Sequence, residues 1–139
     1  MNFLLDTCLL SELYKTKPQH SVVEWVSEQK ANVLWVSSIT MGELERGIAK
    51  LDAGHAQQKL MLWLLQIHDQ FEGRILGFQL SEARVFGQIS GRCERLGTKL
   101  AVADAMLAAI ALHHDMTFVT RNVRDFERTG VRIFNPWQE

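Results

Sequence analysis

Asp6 closes the apolar run NFLLD almost at the chain's start, and Asp104 is the one ionisable residue between Leu100 and Leu112. A carboxylate at the end of an interior strand, or inside an apolar helix, loses hydration that a partner, a cap or a cation must replace. Glu43 lies in the helical stretch after a second apolar run, NVLWVSS, while Asn122 and Asp125 follow a third, TFVT. Carboxylates gathered in a medium of low dielectric repel one another, and a hard divalent cation with oxygen ligands relieves that repulsion. Mg²⁺ or Mn²⁺ suits such donors. A cation of this kind orients a phosphodiester, acidifies water and neutralises the phosphorane-like transition state, which is hydrolysis without a covalent intermediate. Each acid also has a plainer reading. Asp104 could pair with a basic side chain or a helix N-terminus, and Asp6 could cap a helix that starts near Thr7.

These residues can meet only if the elements around them bring them to one place. NFLLD, NVLWVSS, RILGF, TFVT and VRIF read as short, apolar strands. Between them lie helical patterns: LLSELY, VVEWVSEQ, a stretch from Thr40 with Met41, Leu44, Ile48 and Leu51 at helical intervals, QQKLMLWLLQIHDQF, and LSEARVFGQISGRCERLG with Ser81 as its cap and Gly97 as its stop. KLAVADAMLAAIALHH is the strongest helix, and RNVRDFERTG reads as a loop or helical turn. Strands that alternate with helices, and are apolar nearly throughout, predict an α/β domain with a mainly parallel sheet covered on both faces. In such sheets ligands bind outside the carboxyl ends of the strands. Asp6, Ser37, Ser38, Asn122 and Asp125 all follow strands, so the acids are expected along that edge.

Composition narrows the alternatives. A length of 139 residues and 47% hydrophobic content predict one compact domain, residues 1–139, with a sizeable core. No stretch approaches about 20 uncharged apolar residues, and no basic region followed by an apolar segment opens the chain, so a cytoplasmic location is expected. Cys8 and Cys93 are too few and too distant for a disulfide framework, and the five histidines show no ligand spacing beside them. The balance of 15 Lys and Arg against 16 Asp and Glu lacks the basic footprint of a non-specific nucleic-acid binder. Four acids reserved for a metal would leave 12 against 15, a modestly basic remainder.

Four segments in order, NFLLDTCLLSEL, SSITMGELERGIAKL, KLAVADAMLAAIALHH and TFVTRNVRDFERTGVRIFNPW, resemble the PIN-domain ribonucleases, specifically the VapC-type toxins of toxin–antitoxin pairs and their FitB-like branch. The resemblance implies a three-layer α/β/α sandwich around a five-stranded parallel sheet. It also implies Mg²⁺- or Mn²⁺-dependent endoribonuclease activity, an RNA substrate, restraint by a cognate antitoxin, a homodimer, and a higher assembly with the antitoxin. Asp6, Glu43 and Asp104 match the family's acidic positions, with Asp6 and Asp104 as metal ligands. Asp125 is the favoured fourth acid and Asn122 a polar helper, while Thr120 is placed to hydrogen-bond a ligand carboxylate. Glu45 reads as a solvated helix residue. Cys8 departs from the pattern, which has Asn there, and a thiol cannot replace an amide's paired donor and acceptor; it reads as a small buried hydrophobe or as a reactive thiol. Arg46, Lys50, Lys99, Arg121 and Arg124 flank the motifs and offer charge to phosphates.

Leu60, Met61, Leu62, Trp63, Leu64 and Leu65 run in succession, more apolar surface than one buried stripe requires, so part of that helix is expected to meet another chain. Two other enzyme classes with acids at strand ends fit less well. A response-regulator receiver needs paired acids after its first strand, and a haloacid-dehalogenase-type phosphatase needs an Asp where Cys8 stands. A different reading is a catalytically silent PIN-like protein- or nucleic-acid-binding module acting with a DNA-binding antitoxin. That reading leaves Asp104 in its apolar helix unexplained.

Overall fold

The computed structural model describes residues 1–138. β1 (Phe3–Leu5), β2 (Leu34–Ser37), β3 (Ile75–Leu76), β4 (Thr117–Val119) and β5 (Ile133–Phe134) form a five-stranded sheet in the order β3-β2-β1-β4-β5, every pair parallel. The helices are α1 (Thr7–Tyr14), α2 (His20–Glu28), α3 (Ser38–Ala49), α4 (His55–Gln70), α5 (Leu80–Arg95), α6 (Val102–His113) and the single turn α7 (Val123–Phe126).

Successive strand side chains point to opposite faces. Leu4 and Phe118 therefore join Ile89 of α5 and Leu107 and Ile110 of α6, whereas Leu5, Val36 and Val119 join Leu9, Leu10, Val22, Leu44, Ile48, Leu64 and Ile67 from α1 to α4. The result is a three-layer α/β/α sandwich with a core on each side of the sheet. The alanines of α6 let it lie close against the sheet: Ala105, Ala108, Ala109 and Ala111 are all buried. The chain adds β2 and β3 on one side of β1, then crosses to add β4 and β5 on the other. At such a reversal a crevice opens at the carboxyl ends of the two central strands, here β1 and β4. Beyond β5 the NPW segment folds back, and the Trp137 indole donates to Glu12 of α1 at 3.2 Å.

α1 starts at Thr7 with Asp6 as its cap, one of the two readings open for that residue, while two other helix starts differ from the sequence pattern. α5 begins at Leu80, because Gln79 and Glu82 form a reciprocal capping box that leaves Ser81 inside the first turn. α6 begins at Val102, since Gly97 with its φ of 85° ends α5 in the left-handed region and residues 98–101 are used to reverse the chain. This last shift puts Asp104 in the first turn of its helix, half-buried at the sheet edge, instead of midway along a buried cylinder.

Candidate active site

β1 and β4 build the floor. The Asp6 amide donates to the Val119 carbonyl at 3.0 Å, which carries the β1–β4 ladder one residue past the strand and fixes where the Asp6 side chain departs. Its extended backbone makes it the N-cap of α1, and Oδ1 accepts from the Thr7 amide at 2.8 Å. Oδ2 accepts from the fully buried Thr120 hydroxyl at 2.7 Å, and Thr120 Oγ1 in turn accepts from the Asn122 amide at 3.0 Å. The sequence expectation that Thr120 reaches a carboxylate is met. Burial raises the Asp6 carboxyl above the ordinary aspartate range; the bonds from Thr120 and Thr7 pull it back, and the charge of Glu43 pushes it further up.

Glu43 arrives on α3, whose start is fixed by Ser37 accepting from the Thr40 amide at 3.0 Å. The Thr7 hydroxyl donates to Glu43 Oε1 at 2.6 Å, a short bond of the charge-assisted kind, and lies 3.3 Å from the Thr40 hydroxyl. Thr7 thus touches two of the acids, its amide on Asp6 and its hydroxyl on Glu43. Nothing in the sequence pattern gave Thr7 this role. Glu45 is exposed, as expected of a solvated position.

Asp104 and Asp125 line a cavity of about 360 Å³ together with Lys99, Arg124 and Arg128. Burial first, and then the negative charges of Asp125, Asp6 and Glu43, raise the Asp104 carboxyl to about 6. The charges of the other three acids therefore all reach Asp104, and among the described residues no hydrogen bond relieves it. Asp125 also borders a second opening with Arg121, Asn122 and Arg124. The Asn122 side chain makes no cap bond to α7; its backbone amide is what reaches the network. Of the flanking cations singled out in the sequence, Lys99 and Arg124 face the Asp104 cavity, and Arg128 was missed because it sits beyond the motif acid. Arg121 stands over the Trp137 ring at 5.8 Å, while Arg46 and Lys50 are exposed on α3 and just after it.

Cys8 is half-buried beside the acids and is not sealed in the core. Its Sγ donates weakly to Asp6 Oδ2 at 3.6 Å and lies 3.7 Å from the Thr120 hydroxyl. Burial, then the Asp6 charge, raises its pKa, so the thiol is held protonated.

The oxygen donors suit a hard divalent cation. Asp6 keeps a lone pair on Oδ1 after its bond from Thr7, while Oδ2 already accepts from Thr120 and weakly from Cys8; among the described residues the Asp104 carboxylate has no hydrogen-bond partner that a cation would have to displace. A tighter grouping lies elsewhere. Among the described residues, Glu82, His113 and His114 form a triad whose ligand atoms all lie within 4.8 Å of one another, consistent with divalent-metal binding. The sequence reading, which found no histidine ligand spacing, overlooked it because Glu82 comes from another helix. His113 is the last residue of α6 and Asp104 the third, so nine residues of helix, about 14 Å, separate the triad from the acids.

A parallel α/β/α sandwich with four acids at the crevice between its central strands defines the PIN class, and the chain belongs to the PIN domain family, whose model matches residues 3–131. The likeness narrows further. Toxin FitB of Neisseria gonorrhoeae is 36% identical over 137 residues, spanning 98% of this chain and 99% of that protein. The VapC ribonuclease Y4jK of Sinorhizobium fredii is 32% identical over 136 residues, with 97% of each covered. The structure of FitAB bound to an IR36 DNA fragment superposes with a TM-score of 0.93 at 35% identity, covering 99% of this chain and 96% of that one. The chain is thus a VapC/FitB-like member of the toxin–antitoxin branch. None of its described helices is long and apolar enough to cross a membrane.

Proposed function

We propose that residues 1–139 act as one PIN domain with Mg²⁺- or Mn²⁺-dependent endoribonuclease activity, the toxin of a type II toxin–antitoxin pair. The observation that carries this reading is Asp104: a carboxylate lifted to about 6 by burial and three other acids, with no hydrogen bond to relieve it. Such an arrangement is unfavourable alone and becomes favourable around a cation. Asp6 and Asp104 would hold the metal, with Glu43 and Asp125 contributing charge or water contacts and Asn122 assisting as a polar neighbour. When bound, the ion supplies Lewis acidity toward the phosphodiester and lowers the pKa of water.

The chain's own residues supply the rest. Thr120 and the Thr7 amide orient Asp6, and the Thr7 hydroxyl orients Glu43, so the acids are set before substrate arrives. With its pKa at about 6, the metal-free Asp104 is mostly ionised at pH 7 and able to receive a cation. Lys99, Arg124 and Arg128 line the cavity beside Asp104 and Asp125, where they would hold the phosphates on either side of the scissile bond. A cognate antitoxin restrains the enzyme, within a homodimer and a higher toxin–antitoxin assembly. FitB and VapC relatives support this reading by name, and the FitAB structure contains DNA. Met61, Leu62 and Leu65 leave α4 exposed at 52–63% and are the residues offered to such a partner, whereas Trp63 packs on Tyr14 with ring centroids 4.9 Å apart.

The purified protein, freed of antitoxin, should cleave RNA in Mg²⁺ or Mn²⁺ and stop in EDTA, and Asp6→Ala should relieve the growth arrest that wild-type expression causes. Full RNA cleavage by Asp104→Asn would refute the assignment. No cleavage by wild type, with antitoxin binding intact, would favour a silent binding module.

A further inference from the structure

We propose that Glu82, His113 and His114 form a second metal site, separate from the acidic crevice and selective for a borderline divalent cation of the Zn²⁺ class. Glu82 is in the first turn of α5, 7% exposed, with Oε1 3.3 Å from the Gln79 amide that donates to it. That bond fixes the carboxylate and leaves Oε2 facing α6, where His114 Nε2 lies 3.1 Å away. The His113 ring stands edge-on to His114, with centroids 4.9 Å apart and planes at 83°.

The spacing fits a small tetrahedral ion. Zn–N and Zn–O bonds of about 2.0–2.2 Å put neighbouring ligand atoms about 3.3–3.5 Å apart, a few tenths of an ångström beyond the present Glu82–His114 separation. The third ligand needs a modest rotation. His113 is exposed and at a helix end, so its ring is free to make it. Two imidazoles and one carboxylate leave a fourth position for water, and imidazole donors select Zn²⁺ over Mg²⁺, the reverse of the oxygen donors at the crevice. Binding through His114 Nε2 breaks its hydrogen bond to Glu82: in a neutral imidazole the Nε2 proton moves to Nδ1, and an imidazolium would release one proton to solvent. The ion would tie the start of α5 to the end of α6, the helix that carries Asp104 at its other end.

A plain hydrogen bond between the two helices would account for Glu82 and His114 but would not need His113. The test is Zn²⁺ binding by untagged full-length protein, measured by calorimetry in millimolar Mg²⁺ to occupy the acidic crevice. Wild type should bind one Zn²⁺ and melt at a higher temperature with it. His113→Ala, at an exposed position, should fold normally and weaken binding at least tenfold, as should Glu82→Gln, while Asp104→Asn should bind as wild type does. Absence of Zn²⁺ binding by wild type would overturn the proposal. So would unchanged affinity in His113→Ala, or loss of the bound ion in Asp104→Asn. Because the readout is binding at the triad, it succeeds or fails whether or not the protein cleaves RNA.

Discussion

Replacing Asp104 by Asn should make the metal-free protein more stable while abolishing its response to Mn²⁺. The shift of Asp104 from 3.8 to about 6 would correspond to about 3 kcal/mol for a sealed group at about 1.4 kcal/mol per unit. Asp104 is only half-buried, and solvent screening reduces that to roughly 1 kcal/mol. Its negative charge in the first turn of α6 also interacts favourably with the helix N-terminus, by a few tenths of a kcal/mol, and Asn forgoes that. A net gain of about 0.5–1 kcal/mol remains, equivalent to roughly 2–4 °C in a domain of this size. The pH dependence has a definite sign. Between about pH 4 and pH 6 the folded wild type binds a proton that the unfolded chain has released, so metal-free stability falls as pH rises through that window. The amide of Asp104→Asn does not titrate, so the variant's advantage should vanish near pH 4 and be complete above pH 7. Thermal unfolding in EDTA at pH 7.5 and pH 4.5 measures both ends. Adding Mn²⁺ at 100 times its dissociation constant should then raise wild-type stability by about 2.7 kcal/mol and leave the variant nearly unmoved. If Asp104→Asn melts below wild type in EDTA at pH 7.5, the carboxylate has a favourable partner and its raised pKa is not the signature of a metal site.

Thr7→Val keeps the shape but removes the hydroxyl that holds Glu43; RNA cleavage should fall about tenfold or more, the worth of a hydrogen bond to a charged group, with the melting temperature little changed. Equal kcat in the two proteins would show that Glu43 is positioned without Thr7. Cys8 should react with iodoacetamide more slowly than a free thiol at pH 7.5 and faster once Mn²⁺ neutralises Asp6, since burial and that charge both raise its pKa; rapid alkylation of the metal-free protein would contradict its placement. Leu62→Glu with Leu65→Glu should weaken self-association or antitoxin binding without lowering the melting temperature, because both side chains are mostly exposed, and unchanged sedimentation and affinity would remove α4 from the interface.

The strands were legible because a parallel sheet covered on both faces leaves little choice of residue. NFLLD, NVLWVSS and TFVT all fall where their apolar character puts them. The order β3-β2-β1-β4-β5 was not legible from periodicity, which reports what an element buries and not what it lies beside. The edge at which the acids gather followed from strand ends alone, yet their supports did not. Thr120's bond was expected only through the family resemblance and Thr7's not at all, since a hydroxyl's partner is set by tertiary approach, across 114 residues in one case and 36 in the other. The misplaced start of α6 has the same origin: Lys99 and Leu100 are good helix formers, and only the need to reverse after Gly97 takes them out of the helix. Among the apolar residues of α4, Trp63 turns its ring onto Tyr14, and the exposed surface falls to its neighbours.

The two readings open for Asp6 in the sequence, helix cap and metal ligand, are compatible in the observed arrangement. A free carboxylate at the end of β1 would rotate; with Oδ1 bound to the Thr7 amide and Oδ2 to Thr120 it cannot, and Oδ1 still keeps a lone pair directed away from its donor. The cap therefore supplies the orientation that a ligand needs, while the ladder bond from the Asp6 amide to Val119 ties that orientation to the two central strands. Thr7 extends the same logic to Glu43, so a single β1–α1 corner sets two acids from different elements. Asp104 stands outside this hydrogen-bonded set and takes the repulsion of the other three. That asymmetry makes it the residue whose protonation and stability should respond most to a bound cation, and the Asp104→Asn melting experiment isolates that response from the capping role of Asp6.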